Sequence, residues 1–304
     1  MTPAAIVPTD PEVLRRGPRD FDGFWRRAHE EASLVSPGAR RVREVAVEAS
    51  HRLTEVRFTT TDGLEIGGLL REPLGGMPRR GVVRLCGYGG LQSPPPAIGL
   101  RDAVEFFPVP RGLPDLSLLE SIPSEGMEHV LHGIADRESY VLRGCVQDVW
   151  VAVSALCELV PELERFDLTG ESFGGGVGAL ALPWESRFTA GVLTVPTFGD
   201  HPARLQTPCA GSGEAVRLHR LMHPEVDQVL PYFDAATAAA RVRTPVLVVI
   251  GRADPAVPPV GQRTIYDLLG GQRMLLEQTA GHLDHPGLPL ESRTIAAATA
   301  AWLA

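Results

Sequence analysis

The chain has 304 residues, and 44% of them are hydrophobic, which is enough for a buried core in one large domain or two small ones. The formal net charge is −8, and all 29 basic residues are arginines dispersed along the chain, which argues against nucleic acid or an anionic membrane as the main partner. Because the sequence contains no lysine, it excludes Schiff-base chemistry, a pyridoxal phosphate anchor and a phosphate-loop lysine.

The N-terminus and the cysteines indicate the compartment. Residues 1–22 carry prolines and charges without the apolar core of a signal peptide, and no stretch approaches the length of a membrane span. The cysteines lie far apart without a C-x-x-C pair, so we expect them to be reduced and mostly buried: Cys86, Cys145, Cys157 and Cys209. The sequence therefore predicts a cytoplasmic protein with no membrane partner and no cysteine-based zinc or redox site.

The first elements in chain order are a helix and a hairpin. Residues 22–32 place apolar side chains at helical spacing among charges, and we predict residues 1–50 to be an N-terminal helical extension. Residues 53–59 and 64–70 alternate apolar and polar side chains on either side of Thr61-Asp62-Gly63, which predicts a β-hairpin.

Strands alternate with helices in the rest of the chain. Apolar runs predict strands at residues 81–86, 103–109, 166–169, 190–195, 246–250 and 273–278. Helical periodicity predicts helices at residues 139–159 and 291–303. Continuous apolar strands in such an alternation indicate an α/β fold with a mostly parallel central sheet flanked by helices. We predict one domain, 1–304, with residues 112–138 and 198–240 as loop or cap segments around a pocket.

The segment Gly170-Glu171-Ser172-Phe173-Gly174 has the G-x-S-x-G pattern of a nucleophile elbow. It follows the apolar run 166–169 and precedes a run of small residues, as a sharp turn from strand to helix requires. Spacing alone is weak evidence, because a glycine-rich chain contains this pattern by chance in about one case in seven. The context and the residues downstream favour Ser172 as a nucleophile.

A serine nucleophile needs a base and a group that orients the base. Asp254 comes just after the strand 246–250, and His282 comes just after the strand 273–278. Alone, the aspartate would be read as a helix cap and the histidine as a surface residue. In the order Ser, Asp, His, each at a strand end, they predict the catalytic triad of an α/β-hydrolase. His285 is the rival base, and we prefer His282 because it lies nearer to the strand end.

Attack on an ester creates an oxyanion, which needs hydrogen-bond donors already in place. One donor is predicted to be the backbone N–H of Phe173, the residue after the nucleophile. The second is predicted to be the N–H of Tyr88, in the segment Gly87-Tyr88-Gly89-Gly90 after the strand 81–86. The alternative is that this glycine-rich segment is only a tight turn.

The chain resembles the acetyl xylan esterase and cephalosporin C deacetylase group, which is carbohydrate esterase family seven of the α/β-hydrolase superfamily. The matching segments, in order, are Phe21-Asp22-Gly23-Phe24-Trp25, Gly87-Tyr88-Gly89-Gly90, Arg111-Gly112, Gly133-Ile134, Asp148, the elbow, Phe233-Asp234-Ala235-Ala236, Asp254 and Pro258-Pro259. The resemblance implies the same triad and oxyanion hole, and removal of acetyl groups from small O-acetylated sugars or related alcohols without a cofactor. It also implies a homo-oligomer, often a ring-like hexamer whose active sites face an internal cavity.

The sequence departs from the family pattern at several positions near the predicted site. Cys86 replaces a usual histidine, Phe173 a usual glutamine, Leu113-Pro114 a usual Gln-Gly, and Leu283 a usual glutamate. We predict substrate-binding roles for Tyr88, Arg111 and Phe173. The departures predict a less polar pocket, and therefore a more apolar ester than acetylated xylose.

Two further functions fit the same residues. An acyltransferase or tailoring enzyme of a biosynthetic pathway would use the triad with an acceptor other than water, and an apolar pocket favours that by excluding water. A binding protein built on a hydrolase fold is the third hypothesis, since fold does not dictate function. The leading prediction is a serine esterase that deacetylates a small molecule.

Overall fold

A computed structural model describes residues 7–91, 93–206 and 208–304. Its strands form one nine-stranded sheet. The strands are β1 (Arg40–Val47), β2 (His51–Thr59), β3 (Glu65–Pro73), β4 (Arg80–Leu85), β5 (Ala103–Pro108), β6 (Arg165–Glu171), β7 (Phe188–Thr194), β8 (Val246–Gly251) and β9 (Arg273–Gln278). The helices are α1 (Pro11–Arg16), α2 (Phe21–Ser33), α3 (Gly126–His129), α4 (Val141–Leu159), α5 (Phe173–Ala181), α6 (His201–Arg204), α7 (Ser212–Met222), α8 (Ala235–Ala239), α9 (Pro259–Leu268) and α10 (Leu288–Leu303).

The strand order across the sheet is β1-β2-β3-β5-β4-β6-β7-β8-β9. The strands from β5 to β9 in this order run parallel, and β1, β2 and β3 form an antiparallel edge. The predicted hairpin is present, with Phe58 of β2 opposite Ile66 of β3. The α/β class and the mostly parallel sheet are therefore confirmed.

Helices cover both faces of the sheet, but unequally. Successive residues of a strand point to opposite faces, so Val82 and Val83 of β4 belong to two separate hydrophobic clusters. The larger cluster lies under α2, α4, α5 and α8, and the smaller one lies under α10. The parallel crossover from β4 to β5, usually a helix, contains none at residues 86–91 and 93–102. Within the described residues, no helix is both long and apolar enough to cross a membrane.

The N-terminal segment is only partly helical, which corrects the prediction for residues 1–50. Residues 1–6 lie outside the described residues, α1 and α2 follow, and residues 40–47 form the strand β1. The sequence did not reveal β1 because its side chains are exposed and show no buried face. Cross-strand ion pairs hold it to β2, with Arg43 Nε 2.8 Å from Glu55 and Arg52 Nε 2.9 Å from Glu44.

The segment 198–240 contains more regular structure than the predicted loop. It includes α6, α7, α8 and two short 3₁₀ turns. The 11-residue helix α7 gave little signal in the sequence because it buries only Gly213, Ala215 and Val216. Residues 112–138 are mostly irregular, apart from α3 and an isolated bridge between Leu119 and Ile122.

Candidate active site

Ser172 lies at a strained corner between β6 and α5. Its backbone has φ 54° and ψ −113°, a conformation that is costly for a residue other than glycine. The flanking glycines make the corner possible, since a Cβ on Gly170 would overlap the carbonyl of Gly174, and one on Gly174 would lie 2.6 Å from the carbonyl oxygen of Leu85. The G-x-S-x-G segment therefore forms the strand-to-helix turn that the sequence predicted.

The structure brings Ser172, His282 and Asp254 together. His282 Nε2 lies 2.9 Å from Ser172 Oγ, and His282 Nδ1 lies 2.9 and 2.8 Å from the two carboxylate oxygens of Asp254. Because a carboxylate accepts the Nδ1 proton, Nε2 of the neutral ring is left to accept the serine proton. The hydrogen bond from Asp254 raises the pKa of His282, and burial opposes that rise.

Asp254 is fixed by donors from its own loop and from α9. Its carboxylate is fully buried and accepts the backbone N–H groups of Ala256 and Val257 at 2.9 and 3.0 Å. Gln262 Nε2 donates to Asp254 at 3.3 Å, while its amide oxygen accepts the N–H of Gly251 at 2.8 Å. Gln262 was missed at the sequence level because nothing marks a glutamine eight residues after an aspartate as its partner.

The rival base, His285, contacts groups other than the serine. Its Nε2 lies 3.3 Å from a carboxylate oxygen of Glu291 on α10, and its Nδ1 accepts the N–H of Gly287 at 3.2 Å. Among the described residues, it forms no hydrogen bond with Ser172. The geometry therefore favours His282 over His285.

Both predicted oxyanion donors lie beside Ser172. A Cβ on Gly87 would lie 3.6 Å from Ser172 Cβ, which puts the segment containing Tyr88 against the nucleophile. Phe173 is the first residue of α5, so its N–H has no acceptor within the helix. The N–H of Tyr88 likewise has no acceptor in the part of the chain that the structure describes. As far as the described residues show, both N–H groups are available to a ligand.

The side chains of Tyr88 and Phe173 form one aromatic cluster with His129. The rings of Tyr88 and Phe173 lie 4.2 Å apart, and His129 packs edge-on to both rings at 5.5 and 6.0 Å. His129 Nε2 lies 2.9 Å from the carbonyl oxygen of Arg111, so Nε2 carries the proton and Nδ1 accepts the hydroxyl of Tyr88 at 3.4 Å. His129, which the sequence analysis missed, thus supports the Tyr88 side chain.

Arg111, predicted to bind substrate, is directed elsewhere. Its buried guanidinium donates to both oxygens of Asp148, with the shortest bond 2.7 Å long, and to Asp62 at 2.8 Å. Within the described residues, it makes no contact with Ser172. The structure instead connects Arg111 to Tyr88 through the backbone carbonyl that His129 binds, so its substrate-binding role stays a prediction.

The positions that depart from the family pattern are mostly apolar and shielded. Phe173 and Leu113 are fully buried, and burial raises the pKa of Cys86 to about 12, so its thiol is neutral. Leu283, in contrast, is exposed. Phe173 also packs edge-on against Phe198, with ring centres 6.0 Å apart. The surroundings of Ser172 on this side are therefore aromatic.

A cavity of about 600 Å³ lies behind the elbow, on the sheet face that lacks the crossover helix. Its walls include Gly87, Glu171 and Gly281, which flank Ser172 and His282, together with Ile98 and Ile295. No group of His, Cys, Asp and Glu side chains in the described ranges has the arrangement of a metal site.

A strained serine, a histidine and a buried aspartate at the carboxyl ends of parallel strands place this chain in the α/β-hydrolase fold. The family model for acetyl xylan esterases (AXE1) matches residues 114–289, and the chain belongs to this family. It is 24% identical over 283 residues to the acetyl esterase Axe7A of Xylanibacter ruminicola, covering 85% of this chain and 62% of that protein. The chain thus spans under two thirds of that relative's length.

Solved structures show the same fold. The acetyl xylan esterase from Paenibacillus sp. R4 aligns with a TM-score of 0.80 at 21% identity, over 95% of this chain and 99% of that one. Acetyl xylan esterase 1 from Thermoanaerobacterium sp. JW/SL YS485 aligns with a TM-score of 0.75 at 19% identity, over 96% and 99% of the two chains. The resemblance inferred from the sequence motifs is confirmed.

Proposed function

We propose that this protein is a serine carboxylic-ester hydrolase that removes acetyl groups from a small O-acetylated molecule. The observation that carries the proposal is the continuous hydrogen-bonded series from Ser172 Oγ through His282 to Asp254. Family membership and the named activities of the relatives, which are acetyl esterases, support the same reaction class. No separate observation favours acyl transfer, which stays a prediction from the sequence.

The reaction begins when His282 Nε2 accepts the proton of Ser172 and the serine oxygen attacks the ester carbonyl. The oxyanion of the tetrahedral intermediate accepts the N–H groups of Tyr88 and Phe173. His282, now protonated, gives its proton to the leaving alcohol, and an acyl-enzyme remains on Ser172. A water molecule, deprotonated by His282, then releases the acid.

Asp254 serves the reaction through the histidine. Its carboxylate holds the proton on Nδ1, which leaves Nε2 as the base, and it stabilises the imidazolium that forms. Backbone donors and Gln262 fix the carboxylate, so it does not have to reorganise during the reaction. Asp254→Asn should therefore lower kcat by about 10⁴-fold, by stabilising the wrong tautomer of His282.

The aromatic side of the site supports the apolar substrate that the sequence predicts. The ring of Phe173 packs against the rings of Tyr88 and Phe198 next to the predicted oxyanion donors, and none of the three rings carries a charge. We therefore expect aryl or alkyl acetates to be hydrolysed faster than acetylated xylo-oligosaccharides. A panel of acetates that ranks the xylo-oligosaccharides first would contradict this expectation.

The decisive test is Ser172→Ala, which should lower kcat for p-nitrophenyl acetate by on the order of a million-fold. The matched control is Ser33→Ala, since Ser33 is exposed at the end of α2. A fluorophosphonate probe should label the wild type and the control but not Ser172→Ala. An unlabelled wild type would instead support the binding-protein hypothesis, and a Ser172→Ala variant with near wild-type turnover would exclude the mechanism.

A further inference from the structure

Arg204, at the end of α6, is a buried cation next to the aromatic side of the site. Its side chain is 3% exposed, and its guanidinium carbon lies 5.9 Å from the centre of the Phe198 ring. Phe198 in turn packs against Phe173, the residue after the nucleophile. On its other side, Gly213 in the first turn of α7 is so close that a Cβ there would overlap Arg204 Nη2.

Within the ranges 7–91, 93–206 and 208–304, this guanidinium has no anionic partner. The other buried arginines bind carboxylates or backbone carbonyls: Arg71 binds Glu105, Arg80 binds the carbonyl of Leu303, and Arg111 binds Asp148. Among the described residues, Arg204 has neither an ion pair nor a side-chain hydrogen bond, and its Nε and Nη1 are buried without acceptors. Because a buried charge without a partner destabilises a fold, such a group requires an explanation.

The nearby carboxylates are committed to other donors. Asp234 accepts the backbone N–H groups of His201, Ala236 and Thr237, at 2.7 to 3.1 Å. Glu214 binds Arg217 at 2.6 Å and the N–H of Cys209 at 3.1 Å. Neither can neutralise Arg204 without losing these bonds, so the described residues supply no counter-ion for it.

The segment that joins α6 to α7 packs against the loop after β8. Ala210 donates its N–H to the carbonyl of Pro255 at 2.7 Å, and a Cβ on Gly211 would lie 3.9 Å from Ala256 Cβ. Both contacts are to the loop that carries Asp254. Arg204 itself contacts Gly213, two residues after Gly211, and lies near Phe198.

The start of α7 offers further hydrogen-bond donors beside the guanidinium of Arg204. Gly211 caps this 11-residue helix without a side-chain hydrogen bond, so the first N–H groups of α7 are not satisfied by a cap. Helix N-termini bind anions through these groups and through the helix dipole. The guanidinium and the helix start are adjacent at Gly213, so both favour an anion at one place.

We propose that Arg204 binds a carboxylate group of the ester substrate, so that the enzyme acts on esters that also carry an acidic group. The planar guanidinium matches the geometry of a carboxylate, and removal from water strengthens the bond. The inference rests on the proposed esterase function. It places one positive charge next to Phe198, on the aromatic side of the site.

The test compares esters that differ only in charge. One pair varies the acyl half, with p-nitrophenyl hydrogen glutarate against its terminal amide. The other pair varies the alcohol half, with 3-carboxyphenyl acetate against 3-carbamoylphenyl acetate. The wild type should prefer the acidic member of at least one pair. Arg204→Met should lower kcat/KM for that acidic ester by about 10-fold or more and leave its neutral partner unchanged, because it removes a hydrogen bond to a charged group.

Two further variants make the result specific. Arg220→Met removes a half-buried arginine of α7, which is paired with Asp227, and should change the turnover of neither ester. Arg204→Lys keeps the charge but not the planar fork, and should retain part of the preference; it also replaces Arg204→Met if that variant fails to fold. Equal loss on both members of a pair, or no acidic preference in the wild type, would overturn the role of Arg204. Turnover by Ser172→Ala would instead overturn the underlying esterase function.

Discussion

Two buried arginines lie near the aromatic rings around Phe173, and they differ in how their charge is balanced. Arg111 binds Asp148 with several hydrogen bonds and supports the Tyr88 loop through its carbonyl group and His129. Arg204 lies near the Phe198 ring, and in the described part of the chain it binds no anion. The charge of Arg111 is balanced by Asp148, whereas Nε and Nη1 of Arg204 have no acceptor among the described residues.

The paired arginine, Arg111, is expected to stabilise the fold, whereas the unpaired arginine, Arg204, is expected to serve function at a cost in stability. A buried ion pair is strongly destabilised when one partner is removed, because the remaining charge has no counter-ion. An unpaired buried charge already carries that cost, and proteins tolerate such costs mainly at functional sites. Replacing Arg111 by Met should therefore lower the free energy of unfolding, and replacing Arg204 by Met should raise it.

The largest effect is expected for Arg111→Met. The change leaves Asp148 buried without its partner, so the free energy of unfolding should fall by about 3–5 kcal/mol. Urea unfolding followed by circular dichroism measures it. Asp148→Asn together with Arg111→Met should recover part of the loss, because the uncompensated charge is then gone. A loss below about 1 kcal/mol for the single variant would show that this pair does not hold the loop.

The opposite sign is expected for Arg204→Met. Replacing an unpaired buried guanidinium by an apolar side chain of similar length should raise the free energy of unfolding by about 1 kcal/mol or more. The same urea titration measures it, with Arg220→Met as the surface control. A clear destabilisation would mean that Arg204 has a structural partner in the folded protein, and the contrast with Arg111 would then disappear.

The sequence predicted the parts of the site that depend on chain order and strand ends. Ser172, Asp254 and His282 each follow a strand, and parallel strands bring their carboxyl ends to one edge. The same reasoning predicts Tyr88 beside the nucleophile, and in the structure the adjacent Gly87 lies close to Ser172; the oxyanion role of Tyr88 stays a prediction. These positions follow from the local strand patterns and from the rule that the carboxyl ends of parallel strands meet at one edge of the sheet.

Pairings between distant segments were not predictable in this way. The sequence shows Arg111 and Arg204 as two similar arginines in irregular segments, and the partner of Arg111 lies 37 residues away on α4. His129 and Gln262 act through contacts that no spacing rule specifies. The exposed strand β1 lacked the alternating burial that reveals a strand. Such features depend on tertiary packing.

His129 links the backbone of Arg111 to the side chain of Tyr88, and we expect its replacement to lower activity moderately. His129→Leu removes the acceptor for the Tyr88 hydroxyl and the donor to the Arg111 carbonyl, so the Tyr88 loop should lose its fixed position. We expect kcat/KM for p-nitrophenyl acetate to fall about tenfold, less than the hundredfold that a 1 Å misplacement costs.

The control for this variant is Tyr88→Phe, which keeps the ring and the backbone N–H but removes the hydroxyl. It should reproduce a part of the loss, and the double variant should be no worse than His129→Leu alone, because both changes break one connection. Fully additive losses would show that His129 does not act through Tyr88.

The smallest expected effect is on pH dependence, and it tests whether either arginine acts on the triad directly. His282 must be neutral to accept the serine proton, and its pKa is raised above the ordinary 6.5, chiefly by its hydrogen bond to Asp254. Activity should therefore fall as the pH drops through that raised pKa. The free energy of unfolding depends on pH in the opposite direction to activity. The charged His282 stabilises the fold at low pH, and this stabilisation is lost as the pH rises through the raised pKa of His282.

Neither arginine contributes to the shift at His282, but the charge of Glu171 raises its pKa slightly. The midpoint of the kcat/KM profile should therefore stay in place in Arg111→Met and Arg204→Met, and move to lower pH in Glu171→Gln. Profiles on neutral p-nitrophenyl acetate measure this without involving the carboxylate that Arg204 is proposed to bind. A residue that only binds the substrate changes the ester preference and leaves the titration of His282 unchanged. A midpoint that moves in Arg204→Met would therefore mean that this guanidinium acts on His282 as well as on the substrate.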